Sequence, residues 1–223
     1  MAMMMALTKK IIPGDRAVRD GNWGYRNMVQ TSELSGKTLL LLGMGRIGRE
    51  VAQRCAAFGT TVQVFDPFVD ADTIRDAGYQ PVEDWRAALD SVDFLSLHLP
   101  LTPESLGLIG AEELAAMKPT AIVMNAARGG LIDEDALCDA LQGRMAAGGA
   151  GLDCLASEPP NTDHTLFSLP NVVFSPHSAA LSAESTRSMG VVSAQNVLAG
   201  LKGQLNPTLI FNRCQLDETG HGV

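Results

Sequence analysis

Three glycines at positions 43, 45 and 48 stand in the spacing G-x-G-x-x-G, at the end of the apolar run Leu39-Leu40-Leu41-Leu42 and just before the helical pattern Arg49-Glu50-Val51-Ala52-Gln53-Arg54. The chemistry such a turn can do is to hold phosphate. Gly43 lets the chain turn sharply, Gly45 lets backbone approach a pyrophosphate, and Gly48 lets helix pack closely on strand. The phosphates would face the free N–H groups and the positive dipole end of the new helix. A second polar residue strengthens the reading. The β-branched and aromatic stretch Thr61-Val62-Gln63-Val64-Phe65 ends at Asp66, eighteen residues after Gly48. A carboxylate there accepts from the adenosine ribose hydroxyls and repels a 2′-phosphate. No Arg or Lys follows within Pro67-Phe68-Val69, so NAD is favoured over NADP.

The elements that must position these groups alternate along the chain. Short helices are expected at 71–77 and 84–89, and a buried strand at 93–97 that ends at His98-Leu99-Pro100. A helix at 111–117 is broken by Pro119 ahead of the strand Ala121–Asn125. A helix at 133–141 opens on acids that suit its dipole, small-residue and β-branched strands follow at 147–153 and 172–174, and a long helix runs from Ser182 to about Leu201. Residues 1 to about 20 read as a helix in one or two pieces, with Pro13 starting a new turn or kinking it. Strands alternating with helices, without hairpin turns, imply an α/β fold: a doubly wound parallel sheet covered on both faces. Ligands of such sheets bind at the carboxyl ends of the strands. Standing there are the glycine turn, Asp66, His98 to Pro100, Asn125 to Arg128, Asp153 and His177.

Composition narrows the partners. A net charge of −8 and 5% aromatic residues in 223 argue against nucleic acid or an anionic membrane surface. No apolar run approaches the ~20 residues of a membrane helix. Cys55, Cys138, Cys154 and Cys214 have no C-x-x-C spacing, and no secretory signal accompanies them. They read as reduced thiols of a cytoplasmic protein, core filler rather than nucleophiles or metal ligands. Trp23, Trp85 and the methionines read as packing, and His164 and His221 as surface or tail residues.

Taken together, Leu42 to Gly48, Asp66-Pro67, His98-Leu99-Pro100-Leu101-Thr102, Asn125-Ala126-Ala127-Arg128-Gly129, Gly151-Leu152-Asp153, Glu158-Pro159 and Pro176-His177 make the chain resemble the D-isomer-specific 2-hydroxyacid dehydrogenases. The likeness runs from about residue 1 to 210. It implies hydride transfer between nicotinamide and C2 of a 2-hydroxy or 2-oxo acid, of phosphoglycerate or glycerate/hydroxypyruvate type. It makes Arg128 the binder and polariser of the substrate's carboxylate and carbonyl, His177 the acid/base, and Glu158 the residue that hydrogen-bonds His177 and favours its protonated form. It puts Gly43, Gly45, Arg46, Ile47 and Gly48 at the pyrophosphate, Asp66 on the ribose, and Pro100 beside the adenine. Ala126, Ala127, Arg128, Asp153, His177 and Ala179 complete the cofactor contacts, Asp153 accepting from the carboxamide. No metal is implied. A homodimer formed through the cofactor domain is the expected assembly.

Each residue also has a plain alternative. Arg128 alone is a loop arginine, His177 a strand-end histidine, Glu158 a solvated loop glutamate, Asp153 a turn cap, and His98 fits a structural role equally. The resemblance also implies about a hundred residues ahead of the glycine turn, forming a small substrate domain. The expectation is therefore a fragment, a misplaced start or a reduced protein. Residues 1–180 would be the Rossmann-like NAD-binding domain, and 181–223 a helix and tail that return to the truncated second domain. That tail exposes Leu209, Ile210 and Phe211, and 217–223 reads as disordered. Two smaller departures touch the lining: Cys154-Leu155-Ala156 stands where the family often has Val-Phe, and Ser178-Ala179-Ala180 where it often has glycines. The competing function is an NAD(H)-binding module that senses or assembles without turnover. A methyltransferase-like Rossmann protein is excluded by Asn125–Arg128 and Pro176-His177.

Overall fold

The structure, a computed structural model, describes residues 1–210. Phe211, Cys214, His221 and the expected disordered tail lie outside the described residues. The chain forms two compact units, Met1–His177 and Ser178–Val223.

In the first unit the elements follow in order: helices α1 (Ala2–Thr8) and α2 (Ile11–Arg19), strand β1 (Thr38–Leu42), α3 (Arg46–Ala57), β2 (Thr61–Phe65), α4 (Ala71–Asp76) and β3 (Gln80–Pro81). Then come β4 (Phe94–Leu97), α5 (Ala111–Ala116), β5 (Ile122–Asn125), α6 (Glu134–Gln142), β6 (Gly149–Leu152) and β7 (Val172–Phe174). The seven strands form one sheet in the order β3-β2-β1-β4-β5-β6-β7, and every pairing is parallel. The direction of winding reverses between β1 and β4, which places a crevice at their carboxyl ends.

The sheet is covered on both faces because its strands are apolar on both. Leu40 and Leu42 of β1 join Leu95, Leu97, Val123 and Leu152 on one face, beneath Leu114 of α5 and Leu137 and Leu141 of α6. Leu39 and Leu41 face the other way, with Val62, Val64 and Met124, against Met4 and Leu7 of α1, Cys55 of α3 and Ile74 of α4. Period-two alternation thus splits four consecutive leucines between two cores. Each buried leucine contributes about 1.5–3 kcal/mol.

Several local expectations need correction. The break in the N-terminal helix falls at Lys10, in the left-handed region at φ 52, and not at Pro13, which sits in the first turn of α2 where its missing N–H costs nothing. No helix forms at 84–89. Asp84 Oδ1 accepts from the N–H groups of Arg86 and Ala87, and the chain proceeds in turns, because so short a segment cannot offset helix nucleation. Strand β3, ending on Pro81 at the sheet edge, and a 3₁₀ turn at Trp23–Asn27 were not expected. Trp85 is buried, with the Arg86 guanidinium 4.2 Å from its ring centroid, whereas Trp23 is 67% exposed and is not core packing.

The second unit contains α7 (Ala183–Leu201), opened by Ser182, whose Oγ accepts from the N–H of Ser185 at 3.0 Å. Leu209 is 53% exposed, as the sequence suggests, and Ile210 is partly buried. No helix among the described residues is long and apolar enough to cross a membrane.

Candidate functional site

The turn after β1 is built as its glycines require. Gly43 has φ 97, and a Cβ there would lie 2.4 Å from the His98 carbonyl oxygen. At Gly48 a Cβ would lie 2.2 Å from the Gly43 carbonyl oxygen and 3.2 Å from Leu41 Cδ2, so α3 approaches β1 as only glycine permits. Gly45 differs. A Cβ there would meet nothing within 4 Å. Its backbone is extended and its conformation asks for no glycine, so the vacant volume beside it suits a ligand. Gly45 is also the N-cap of α3, whose first N–H groups, on Arg46, Ile47 and Gly48, have no acceptor within the helix.

Gly45 to Gly48 form one wall of a cleft of about 570 Å³ at the winding reversal. His98, Leu99 and Pro100, after β4, form a second wall, and Ala126, Ala127 and Arg128, after β5, form the third. His98 Nε2 lies 2.9 Å from Ser96 Oγ. Burial chiefly lowers its pKa to about 4, so the ring stays neutral at ordinary pH. Asp66 stands under the turn: Oδ2 accepts from the Met44 N–H at 2.7 Å and Oδ1 from the Phe68 N–H at 2.9 Å. A carboxylate oxygen has two lone pairs, so capacity for a ligand hydroxyl is left.

The loop carrying Arg128 is clamped from beneath. Buried Asn125 accepts from the Ala127 N–H at 3.1 Å and donates through Nδ2 to the Arg128 carbonyl at 2.8 Å. Gly129 then lies directly against the next loop, where a Cβ would be 1.8 Å from the Leu155 carbonyl oxygen. The guanidinium is exposed and donates through Nη1 to the Ala127 carbonyl at 2.6 Å. Arg128 takes part in no ion pair among the described residues.

Glu158 and His177 meet across that neighbouring loop. Glu158 Oε2 is 2.8 Å from His177 Nδ1, and Oε1 accepts from the Leu155 N–H at 3.1 Å. These two contacts hold the Glu158 carboxyl below the usual carboxylate range, the His177 bond first. An ionised carboxylate only accepts, so Nδ1 carries the hydrogen and Nε2 is the nitrogen left for proton exchange. His177 is held in the left-handed region at φ 50. Its N–H donates to the carbonyls of Asp153 at 2.8 Å and Ser175 at 3.0 Å. A non-glycine residue pinned there costs of order 1–3 kcal/mol, and such strain clusters at functional sites. Buried Asp153 accepts from Ser175 Oγ at 2.5 Å. Asp153, Glu158 and His177 line a second cleft of about 400 Å³, with Phe167 and Phe174 stacked nearby at 4.6 Å.

Of the residues expected at a site, Gly45, Arg46, Ile47, Gly48, Pro100, Ala126, Ala127 and Arg128 share the first cleft, and Asp153, Glu158 and His177 share the second. Gly43 shapes the turn beneath, and Ala179 lies in the second unit. Sequence reasoning missed the Asn125 clamp, the close approach at Gly129 and the Ser175 hydroxyl. Only Asn125 left a signal, an Asn at a strand end whose side chain can bond its own backbone two residues on.

The chain matches the family model "D-isomer specific 2-hydroxyacid dehydrogenase, NAD binding domain" over residues 1–179. It is 41% identical over 203 residues to the D-3-phosphoglycerate dehydrogenase of Archaeoglobus fulgidus, covering 91% of this chain and 38% of that protein. Among solved structures it is similar to the TT0316 protein of Thermus thermophilus, at TM-score 0.84 and 38% identity over 92% of this chain and 64% of that one. D-lactate dehydrogenase from Lactobacillus jensenii, solved with NAD+, aligns at TM-score 0.81 and 32% identity, over 91% of this chain and 64% of that one. The chain therefore spans less than two thirds of the length of these relatives. Sequence, fold and glycine turn agree, and the chain belongs to the NAD-binding domain family of the D-isomer specific 2-hydroxyacid dehydrogenases.

Proposed function

We propose that this chain carries the cofactor site and the acid–base pair of an NAD-dependent oxidoreductase acting at C2 of a D-2-hydroxy acid or its 2-oxo counterpart, of phosphoglycerate or glycerate/hydroxypyruvate type. The observation that supports it most is the Glu158–His177 pair, in which Glu158 occupies Nδ1 and leaves Nε2, with His177 on a strained backbone and Glu158 in the loop packed against the one that bears Arg128.

The cleft fits a dinucleotide, because open space at Gly45 faces the uncapped N-terminus of a twelve-residue helix. In this reading Arg46, Ile47 and Gly48 donate to the pyrophosphate. Asp66 accepts from ribose hydroxyls and disfavours a 2′-phosphate, and Pro100 borders the adenine. Ala126, Ala127 and Asp153 border the nicotinamide. Bound nicotinamide supplies or accepts the hydride. The chain's own residues do the rest. Arg128 pairs with the substrate carboxylate and polarises the C2 carbonyl through a rigid fork of donors that cannot lose its charge. His177 delivers a proton from Nε2 to the developing alkoxide, or removes it in the oxidative direction, while Glu158 holds the ring in the required tautomer.

The finer expectations belong to the same proposal. A homodimer is supported by the exposed apolar side chains Ile11, Ile12, Val18, Trp23 and Met28 on α2 and the turn after it. Cytoplasmic residence is supported by Cys55, Cys138 and Cys154 being free thiols. The test is NADH oxidation with a panel of 2-oxo acids. Substitution His177→Ala should lower the rate by ~10²–10⁴, far beyond any change in NADH affinity; an unchanged rate overturns the mechanism. A second reading, a non-turnover NAD(H) module, makes the opposite prediction in the same assay. Saturable NADH binding with no 2-oxo acid reduced would select it.

A further inference from the structure

Cys154 has no place in the chemistry above, yet its thiol points into it. It is buried at the start of the loop after β6, and its sulfur, a Glu158 oxygen and a His177 ring nitrogen all lie within 4.8 Å of one another. The three residues have no metal-site spacing in the sequence, and only the packing of the loops after β6 and β7 brings them together.

We infer that Cys154, Glu158 and His177 form a binding site for a thiophilic divalent cation of the Zn²⁺ class, and that a cation seated there switches off the acid–base pair. The donor set is the first reason. One thiolate, one imidazole and one carboxylate are ligands that Zn²⁺ takes, and Mg²⁺ and Ca²⁺ do not favour sulfur or nitrogen. Distance is the second. Tetrahedral Zn²⁺ with ordinary bond lengths separates its donors by about 3.4–3.6 Å. The Glu158–His177 contact at 2.8 Å must open by well under 1 Å, and the sulfur needs to close by little more than that. Both changes lie within side-chain rotation.

The proton balance is simple. The thiol proton leaves to solvent as the metal–sulfur bond forms. The imidazole coordinates through Nδ1 in its neutral form, its Nδ1 proton passing by way of solvent to Nε2, and Glu158 exchanges its hydrogen bond to His177 for the metal. Three protein ligands leave a fourth position for water from the adjoining cleft, the arrangement of an open zinc site. A coordinated imidazole cannot cycle a proton, so the metal-bound form would be inactive and recoverable by chelation. Without metal the protonated, buried thiol is inert.

Direct binding needs no turnover, so the site can be tested on the 223-residue chain whether or not the dehydrogenase reading holds. Chelator-treated protein is titrated with Co²⁺, whose thiolate charge-transfer absorption reports sulfur coordination. The expected result is a saturable band at one Co²⁺ per chain, displaced one for one by Zn²⁺ and untouched by excess Mg²⁺. The band should vanish in Cys154→Ser. In Glu158→Gln, a change at an exposed residue, affinity should fall by at least about the 10–100-fold that loss of an outer-shell partner costs. Thermal unfolding in metal-free buffer checks that both variants are folded; if Cys154→Ser is not, the wild-type stoichiometry and Glu158→Gln decide. Absence of a saturable band, a band surviving in Cys154→Ser, or full affinity in Glu158→Gln would each overturn the assignment.

Discussion

The two ends of the parallel sheet carry similar groups and use them in opposite ways. At the amino ends, a cleft of about 300 Å³ is lined in part by Lys37, Asp93 and Thr120. The charge around Asp93 is consumed internally: Asp93 accepts from the Thr38 N–H at 2.9 Å and pairs with Lys118 at 3.2 Å and Lys37 at 3.6 Å. At the carboxyl ends the local bonds are made so that other groups are left outward. Asn125 holds the loop and not the guanidinium, Glu158 takes Nδ1 and not Nε2, and Asp66 fixes the glycine turn with part of its capacity. Equal polarity at both ends therefore does not mean equal function. What distinguishes a site is which atoms remain unspent, together with the strain held to keep them so.

The comparison can be broken most severely at Gly48. Substitution Gly48→Ala drives a methyl against the Gly43 carbonyl, backbone on both sides. It should cost about 3 kcal/mol or more, seen as a lowered denaturation midpoint together with lost NADH binding.

His98 sharpens the carboxyl-end account through pH. Its folded pKa of about 4 lies below its ordinary 6.5, so the unfolded chain binds the proton first. Stability from this residue is complete above about pH 6.5 and falls as pH drops toward 4, by up to about 3 kcal/mol. Denaturation followed between those limits should show the slope, and His98→Gln should flatten it.

At the other end, Asp93→Ala removes two lysine contacts and strands the Thr38 N–H. A loss of about 2 kcal/mol is expected, with NADH affinity unchanged when measured on folded protein. Weakened NADH binding in a folded variant would mean the two ends are not separate.

Much of this was legible in the sequence, for definite reasons. The strands announced themselves because both their faces are buried, which writes continuous runs such as Leu39–Leu42. The glycine turn was legible because Gly43 and Gly48 answer to steric demands that only one residue type meets. Helix α7 showed its Ser182 cap. What stayed hidden depended on non-local approach. The contact of Gly129 with Leu155 and the meeting of Cys154 with Glu158 and His177 join loops that no period relates. The segment 84–89 looked helical because its composition permits a helix, but so few residues and one Asx turn do not sustain one.

The most direct measurement concerns Gly45, where fold and ligand make opposite demands. Substitution Gly45→Asp places a good N-cap with a charge favourable to the dipole of α3, in space empty of protein atoms within 4 Å. Stability should therefore hold within about 1 kcal/mol. The same carboxylate would occupy the proposed pyrophosphate position and repel the phosphates, so a fluorescence titration with NADH should show at least about a tenfold loss of affinity, ~1.4 kcal/mol. A folded Gly45→Asp protein that binds NADH as tightly as the parent would contradict the placement of the cofactor in this cleft.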